Sequence, residues 1–169
     1  MQNIIIRPIK QDDIEKILNN YTEQGWEKPR EVIERYVRRQ EEKSLFSFIA
    51  EYNNDIAGYT ILYPFVEKGA FANKNIPEIS DFVVFQKYQR NGIGNKILDA
   101  AEKKAKELND FVSLAVGIHS GYGAAQRIYI KRGYVPDGSG AWYNDVQLEQ
   151  YAPCQNDDDL VLYLLKELQ

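Results

Sequence analysis

The chain has 169 residues, 44% of them hydrophobic, which is the size of one ordinary domain with enough apolar surface for a single core. Lys and Arg number 21 against 25 Asp and Glu, a net charge of −4 with no long block of one sign, which argues against general binding to nucleic acid or to an anionic membrane. A single cysteine, Cys154, excludes an internal disulfide, and a single histidine, His119, leaves no zinc-ligand spacing, so no metal site is assigned.

The opening MQNIIIRPIK holds a run of only three isoleucines, too short for a signal-peptide core, and nothing later reaches the length of a membrane span. A cytoplasmic protein is expected. Ile4 to Ile9 reads as a strand. Asp12 with Glu15 resembles a capping box, and Ile14, Ile17, Leu18 and Tyr21 follow at the spacing of one helix face, so a helix is expected from near Asp12. Pro29 suits a first helical position, with Val32, Ile33, Tyr36 and Val37 as the apolar stripe of a second helix that runs to about Lys43. Leu45 to Tyr52 and Ile56 to Tyr63 are strand-like and flank Asn53, Asn54 and Asp55, which suit a tight hairpin. Pro64 to Pro77 reads as a loop, either the rim of a site or ordinary surface, and it leads into an apolar strand from Ile79 to Phe85.

YQRNGIGNK, residues 88 to 96, then opens a third helix, whose face carries Ile93, Ile97, Leu98, Ala101, Ala105 and Leu108. Phe111 to Ile118 is a further strand, Tyr122 to Arg132 a helix ending at Gly133, Pro136 to Asp159 a turn-rich segment, and Leu160 to Leu165 a last strand. This order gives a single domain over residues 1–169 with a mixed α/β layout on one sheet.

A helix start leaves backbone N–H groups unpaired and carries partial positive charge, so it binds anions where side chains do not block approach. Gly92 and Gly94 remove that obstruction, while Gln89, Arg90 and Asn91 add donors, Arg90 with a full charge. The alternative is a turn whose glycines merely let the chain reverse. A P-loop is excluded because no Gly-Lys-Ser/Thr follows, and a dinucleotide fingerprint because Ile97 stands where its third glycine belongs.

Gln89-x-x-Gly92-x-Gly94 after an apolar strand resembles the acyl-CoA signature of the GNAT N-acetyltransferase superfamily, Arg/Gln-x-x-Gly-x-Gly/Ala. AAQRIYIKRGY, residues 124 to 134, resembles the same family's downstream Ala-x-x-x-Tyr-x-x-x-Gly-Phe pattern, with Ala125, Tyr129, Gly133 and Tyr134 in register. The likeness in element order covers nearly the whole chain. Two departures are visible: Tyr122 stands where the family often has an asparagine near the cofactor, and FVVFQKYQ lacks the proline common before the loop.

The resemblance implies a single central, mixed but mostly antiparallel sheet with a splayed parallel strand pair and about four flanking helices. It also implies acetyl-CoA as co-substrate, with backbone groups of Phe82, Val83 and Val84 on the pantetheine arm and those of Gln89, Arg90, Asn91, Gly92, Ile93, Gly94 and Asn95 on the diphosphate. The thioester would reach the wedge between Val84 and the strand from Phe111, where the Val84 N–H serves as oxyanion donor. Tyr129 matches the family's general acid, although a core aromatic on an amphipathic helix would look the same. Glu78, Asp81 and His119 are the candidate bases. Asp81 could instead be a structural hydrogen-bond partner, and a lone histidine is often incidental.

The acceptor would be a primary amine of a small molecule or peptide. It would be bound by the first two helices, the 64–77 loop and the 138–158 segment, where Trp26, Tyr63, Phe65, Phe71, Trp142, Tyr143 and Tyr151 form either an aromatic pocket or packing. Asp157, Asp158 and Asp159 would attract a cation or be solvated. The resemblance is compatible with a homodimer. The alternative from another class is an inactive acyl-CoA-binding sensor of the same fold.

Overall fold

The computed structural model describes residues 3–169. Its elements are β1 (Ile4–Arg7), α1 (Asp13–Glu23), α2 (Arg30–Glu41), β2 (Phe46–Tyr52), β3 (Asp55–Tyr63), β4 (Glu78–Val84), α3 (Ile93–Leu108), β5 (Phe111–Gly117), α4 (Gly123–Lys131), β6 (Val135–Tyr143), β7 (Val146–Gln147) and β8 (Leu160–Glu167). Short 3-10 turns, Gln86–Tyr88 and Ser120–Tyr122, precede α3 and α4. The strands form a mixed, mostly antiparallel sheet in the order β1-β2-β3-β4-β5-β8-β6-β7, with β4 and β5 as the parallel pair. Two compact units divide the chain, Met1–Tyr63 with Ile79–Lys104 and Pro64–Glu78 with Ala105–Gln169.

In the first unit, Asn53 and Asn54 both adopt left-handed backbone, φ 51° and 62°, and close the β2–β3 hairpin with Tyr52 opposite Asp55. Two positive φ angles in a two-residue loop match the right-handed twist of the strands, and asparagine tolerates them. β3 is buried over all but its end residues because helices cover both its faces. One face packs Ile56, Tyr59 and Ile61 against Ile14, Ile17, Tyr21, Ile33 and Val37 of α1 and α2. On the other, Ala57, together with Ala50 and Tyr52 of β2, meets Ile93 and Ile97 of α3. β4 joins both clusters, Val83 the first, Phe82 and Val84 the second.

Two starts differ from expectation. The Asp12 side chain makes no cap; instead Asp13, 2% exposed, accepts from the Lys10 backbone N–H and from both ends of the Arg7 guanidinium at 2.8 Å. A buried ion pair reaching back to β1 displaces the capping box. Pro29 is the N-cap of α2 and not its first residue, with ψ 129°.

Gly58 carries a close approach that the sequence does not announce. A Cβ there would overlap the Val83 carbonyl oxygen and sit 3.0 Å from Val84 Cα and 3.2 Å from Ile97 Cδ1. Two of these neighbours are backbone and cannot rotate away. Gly58→Ala is therefore expected to destabilise the protein by about 1–3 kcal/mol through forced strand separation, read as a lower denaturant midpoint. An unchanged midpoint would show that β4 yields freely at Val83.

In the second unit, β8 lies between β5 and β6, antiparallel to both. The segment from Pro136 to Asp159, expected as turns, instead contributes most of β6 and all of β7. Asn144 and Asp145, φ 49° and 64°, turn Tyr143 back onto Val146, the same hairpin chemistry as Asn53-Asn54. A register shift between Pro136 and Ala141 absorbs the proline and the glycines of β6, which hide its strand character in sequence.

Candidate active site

β4 ends in a bend where Gln89 Nε2 returns a hydrogen bond to the Val84 carbonyl at 3.0 Å, and Asn91 Nδ2 donates to the carbonyls of Tyr88 and Gln89. Arg90 and Gly92 take left-handed backbone, φ 65° and 73°. Nothing lies within 4 Å of a Cβ built on Gly92, so the space above it is open. Lys96 N–H bonds to the Gly92 carbonyl, which opens the sixteen-residue α3. Gln89, Arg90, Asn91, Gly92 and Asn95 are exposed and Gly94 is half-buried, while Ile93, 1% exposed, anchors the turn in the core. Exposed turn residues, a positive helix end and an unobstructed approach at Gly92 fit a phosphate-bearing ligand.

Upstream, Asp81 interrupts β4 with φ 50°, unusual for a non-glycine residue in mid-strand. Its Oδ2 accepts from Lys28 Nζ at 2.6 Å and from the hydroxyls of Tyr36 and Tyr59, each at 2.9 Å. Burial first, and then the charge of Asp81, push both phenols well above their ordinary range, so they stay protonated donors. With three donors on one oxygen, Asp81 is the hub of a hydrogen-bond cluster.

Glu78 opens β4 in the second unit. Ser113 fixes the residue before it, donating both its N–H, 2.9 Å, and its hydroxyl, 3.2 Å, to the Pro77 carbonyl. Glu78 Oε2 is buried and has no hydrogen-bond partner. Burial first, then the negative charge of Asp145, push its carboxyl up to about 7. Such a group exchanges a proton near neutral pH, which an ordinary surface glutamate does not.

His119 is half-buried just past the end of β5. Its Nδ1 accepts from the Gly121 N–H at 3.0 Å and its Nε2 lies 2.7 Å from Asp158. Both ring nitrogens are thus occupied, in a local capping arrangement completed by the Tyr122 ring packed edge-on at 4.8 Å. The hydrogen bond from His119 holds Asp158 below the usual carboxylate range. Tyr122 also covers Gly117, where any Cβ would strike its ring. Asp157 accepts from the Tyr143 hydroxyl and the Asp159 N–H, so this acidic run serves its own loop.

Tyr129 occupies the last turn of α4. Tyr134 N–H bonds to its carbonyl and Gly133 N–H to that of Ile130, with Gly133 at φ 94° and the rings of Tyr129 and Tyr134 5.7 Å apart. This is a Schellman cap with its apolar contact. Burial, then the neighbouring Tyr122, raises the Tyr129 phenol above its usual value.

The structure therefore brings Asp81, Phe82, Val83, Val84 and the 89–95 turn together in the first unit, and holds Glu78, His119 and Tyr129 in the second. The aromatic residues expected around an acceptor divide. Phe71 and Trp142 stack on Tyr163 at 6.1 and 5.3 Å, Tyr63 lies under the Arg39 guanidinium at 5.1 Å, and Trp26, Phe65 and Tyr151 are exposed. Sequence reasoning missed Lys28, Tyr36 and Tyr59 as partners of Asp81. Among the described residues no cluster of metal-ligating side chains occurs, and no helix is long and apolar enough to cross a membrane.

Comparison with known structures returns the same architecture. An acetyltransferase of the GNAT family from Staphylococcus aureus Mu50 is 19% identical, aligned over 99% of this chain and all of its own, with a TM-score of 0.69. A ribosomal-protein-alanine N-acetyltransferase from Brucella melitensis is 18% identical over 97% of this chain and 99% of its own, TM-score 0.70. A Salmonella typhimurium protein assigned as an acetyltransferase, solved with its cofactor acetyl-CoA, is 16% identical over 98% and 94%, TM-score 0.69. At these identities the likeness is one of fold. A search of curated protein sequences returns no match. The model of the acetyltransferase (GNAT) family matches residues 12–134, a span that begins at α1, takes in the glycine turn and closes on the Tyr134 that caps α4. On that match the chain belongs to the GNAT acetyltransferase family.

Proposed function

We propose that the chain is an acetyl-CoA-dependent N-acetyltransferase acting on a primary amine. The observation that carries this reading is the turn from Gln89 to Asn95, with left-handed Arg90 and Gly92 and open space where a side chain would stand. Its backbone N–H groups would hold the diphosphate with help from the Arg90 charge, and the backbone of Phe82, Val83 and Val84 would hold the pantetheine amides. Acetyl-CoA supplies an acyl group on a thiol, activated for transfer to nitrogen.

The chain's own residues then have three tasks. Glu78 takes up the proton that an ammonium must lose before its nitrogen can attack, and a carboxyl at about 7 is matched to that task. The Val84 N–H would stabilise charge on the acyl oxygen. Tyr129, whose phenol burial keeps protonated at neutral pH, would be the proton donor to the departing sulfur. Asp81, whose Oδ2 already accepts from Lys28, Tyr36 and Tyr59, and His119, both of whose ring nitrogens are engaged, are poorer bases than Glu78.

Gly92→Val tests the reading. A β-branched residue at φ 73° carries about 1–2 kcal/mol of local strain but meets no neighbour, so the protein is expected to fold. Its side chain occupies the approach to the cradle, and acetyl-CoA affinity by calorimetry is expected to fall about 100-fold or more, as for loss of several charge-assisted hydrogen bonds. Wild-type affinity in a folded Gly92→Val protein would remove the cradle, and absence of acetyl-dependent thiol release across a broad amine panel would leave the chain a binding module.

A further inference from the structure

Acetyl transfer to an amine leaves the acceptor itself unnamed, and its chemical class is inferred here on the footing that the chain is such a transferase. Side chains from α1, α2, β3 and β4 converge beneath the α1–α2 connection in the first unit. Tyr59 commits its single hydroxyl proton to Asp81, so Tyr21, whose hydroxyl lies 2.7 Å from that of Tyr59, must donate to Tyr59. Tyr36 donates to Asp81 as well. The three tyrosines are 4%, 0% and 5% exposed in the order Tyr21, Tyr59, Tyr36, so the carboxylate is fixed from below by buried, rigid elements. Above it sits an ammonium: Lys28 Nζ, 2.6 Å from Asp81 Oδ2 and 5.6 Å from the centroid of the Tyr21 ring. A carboxylate beside an aromatic face is the pair of features by which proteins hold alkylammonium ions.

The two halves of this contact differ in kind. Asp81 and the tyrosines belong to strands and helices. Lys28 belongs to the connection between α1 and α2, where Trp26, Glu27 and Pro29 beside it are exposed. Withdrawal of Lys28 would open the cage without moving the elements that build it. An ammonium held by Asp81 also keeps its proton, because a contacting anion raises its pKa, whereas the attacking nitrogen must lose one. The cage therefore suits a cationic group that does not react. The net charge of −4 favours approach of such ligands.

We propose that the Asp81 cage is the subsite for a second, non-reacting ammonium group of the acceptor, that the acceptor is accordingly a diamine or polyamine, and that Lys28 occupies the subsite until such a group displaces it.

The test compares putrescine with n-pentylamine, which has the same chain length and one charge, on the full chain. Calorimetric titration and thiol release with acetyl-CoA are both read. Putrescine is expected to exceed n-pentylamine by about tenfold or more in kcat/KM, mostly through KM, the scale of one charge-assisted contact. Lys28→Met removes the internal competitor and is expected to tighten putrescine binding by about threefold or more, since affinity scales with the fraction of open subsite. Asp81→Asn is expected to bring the putrescine to pentylamine ratio near one, and Tyr36→Phe, which keeps the packing if the asparagine variant does not fold, to reduce it in part. Equal treatment of the two amines by the wild type, an undiminished ratio in Asp81→Asn, or weaker putrescine binding in Lys28→Met each overturns the proposal. Thiol release without charge preference removes the cage and leaves the transferase; putrescine binding that gains in Lys28→Met without thiol release does the reverse.

Discussion

Replacing Glu78 with glutamine is expected to lower kcat by about 10²–10⁴-fold, the usual contribution of a positioned general base, and to abolish the acidic limb of the pH profile. In the unaltered protein kcat should climb as pH rises through about 7, where burial and then Asp145 have placed the Glu78 carboxyl. The same substitution should act on stability in the opposite sense. The Glu78 carboxyl is raised from 4.5 to about 7 in the folded chain, so the folded state holds this proton more tightly than the unfolded one. Its stabilising contribution is full below about pH 4.5 and is lost as pH rises through about 7, a span of about 3 kcal/mol. Glutamine has no charge to bury. The variant should match the parent in acid and exceed it by up to about 3 kcal/mol above about pH 8, measured by denaturant unfolding. A glutamine variant with normal turnover and no gain in alkaline stability would return Glu78 to ordinary packing.

Local patterns were legible in the sequence; their tertiary partners were not. The stripe Ile14, Ile17, Tyr21 and the stripe Ile33, Tyr36, Val37 did lie on buried helix faces, and the alternation from Leu45 to Tyr63 did become a hairpin on Asn53 and Asn54. The Asn144-Asp145 turn carries the same chemistry, but Pro136, Gly138 and Gly140 suppress strand propensity ahead of it. What makes β6 a strand is its pairing to β8, a partner no window of local sequence contains. Asp81 stood out as a carboxylate in an apolar run, yet Lys28, Tyr36 and Tyr59 lie 53, 45 and 22 residues away in sequence. His119 drew attention for its chemistry, while the bond from Gly121 depends on a 3-10 turn that residue composition does not mark. Glu78 was visible, but its raised carboxyl depends on burial and on Asp145, both products of the fold.

The pattern around Tyr129 has a simpler physical content than chemistry, and this makes Tyr129→Phe the sharper experiment. Tyr21-x-x-x-Gly25-Trp26 repeats the spacing of Tyr129-x-x-x-Gly133-Tyr134 at the end of α1. There too the aromatic after the glycine bonds back, Trp26 N–H to the Tyr21 carbonyl and Gly25 N–H to that of Thr22, with Gly25 at φ 76° and the two rings 6.5 Å apart. Both stretches are helix stops of one design, so the motif by itself requires a ring at its first position and no hydroxyl. Phenylalanine supplies that ring. If Tyr129 only closes α4, Tyr129→Phe should leave turnover and stability near those of the parent. If its hydroxyl protonates the leaving sulfur, kcat should fall by about 10²-fold or more while acetyl-CoA affinity and the thermal midpoint stay close to the parent values, because the stack on Tyr134 is kept. Stopped-flow turnover beside calorimetry separates the cases: a large loss confined to kcat assigns the acid, and unchanged kcat with a proven acceptor withdraws it.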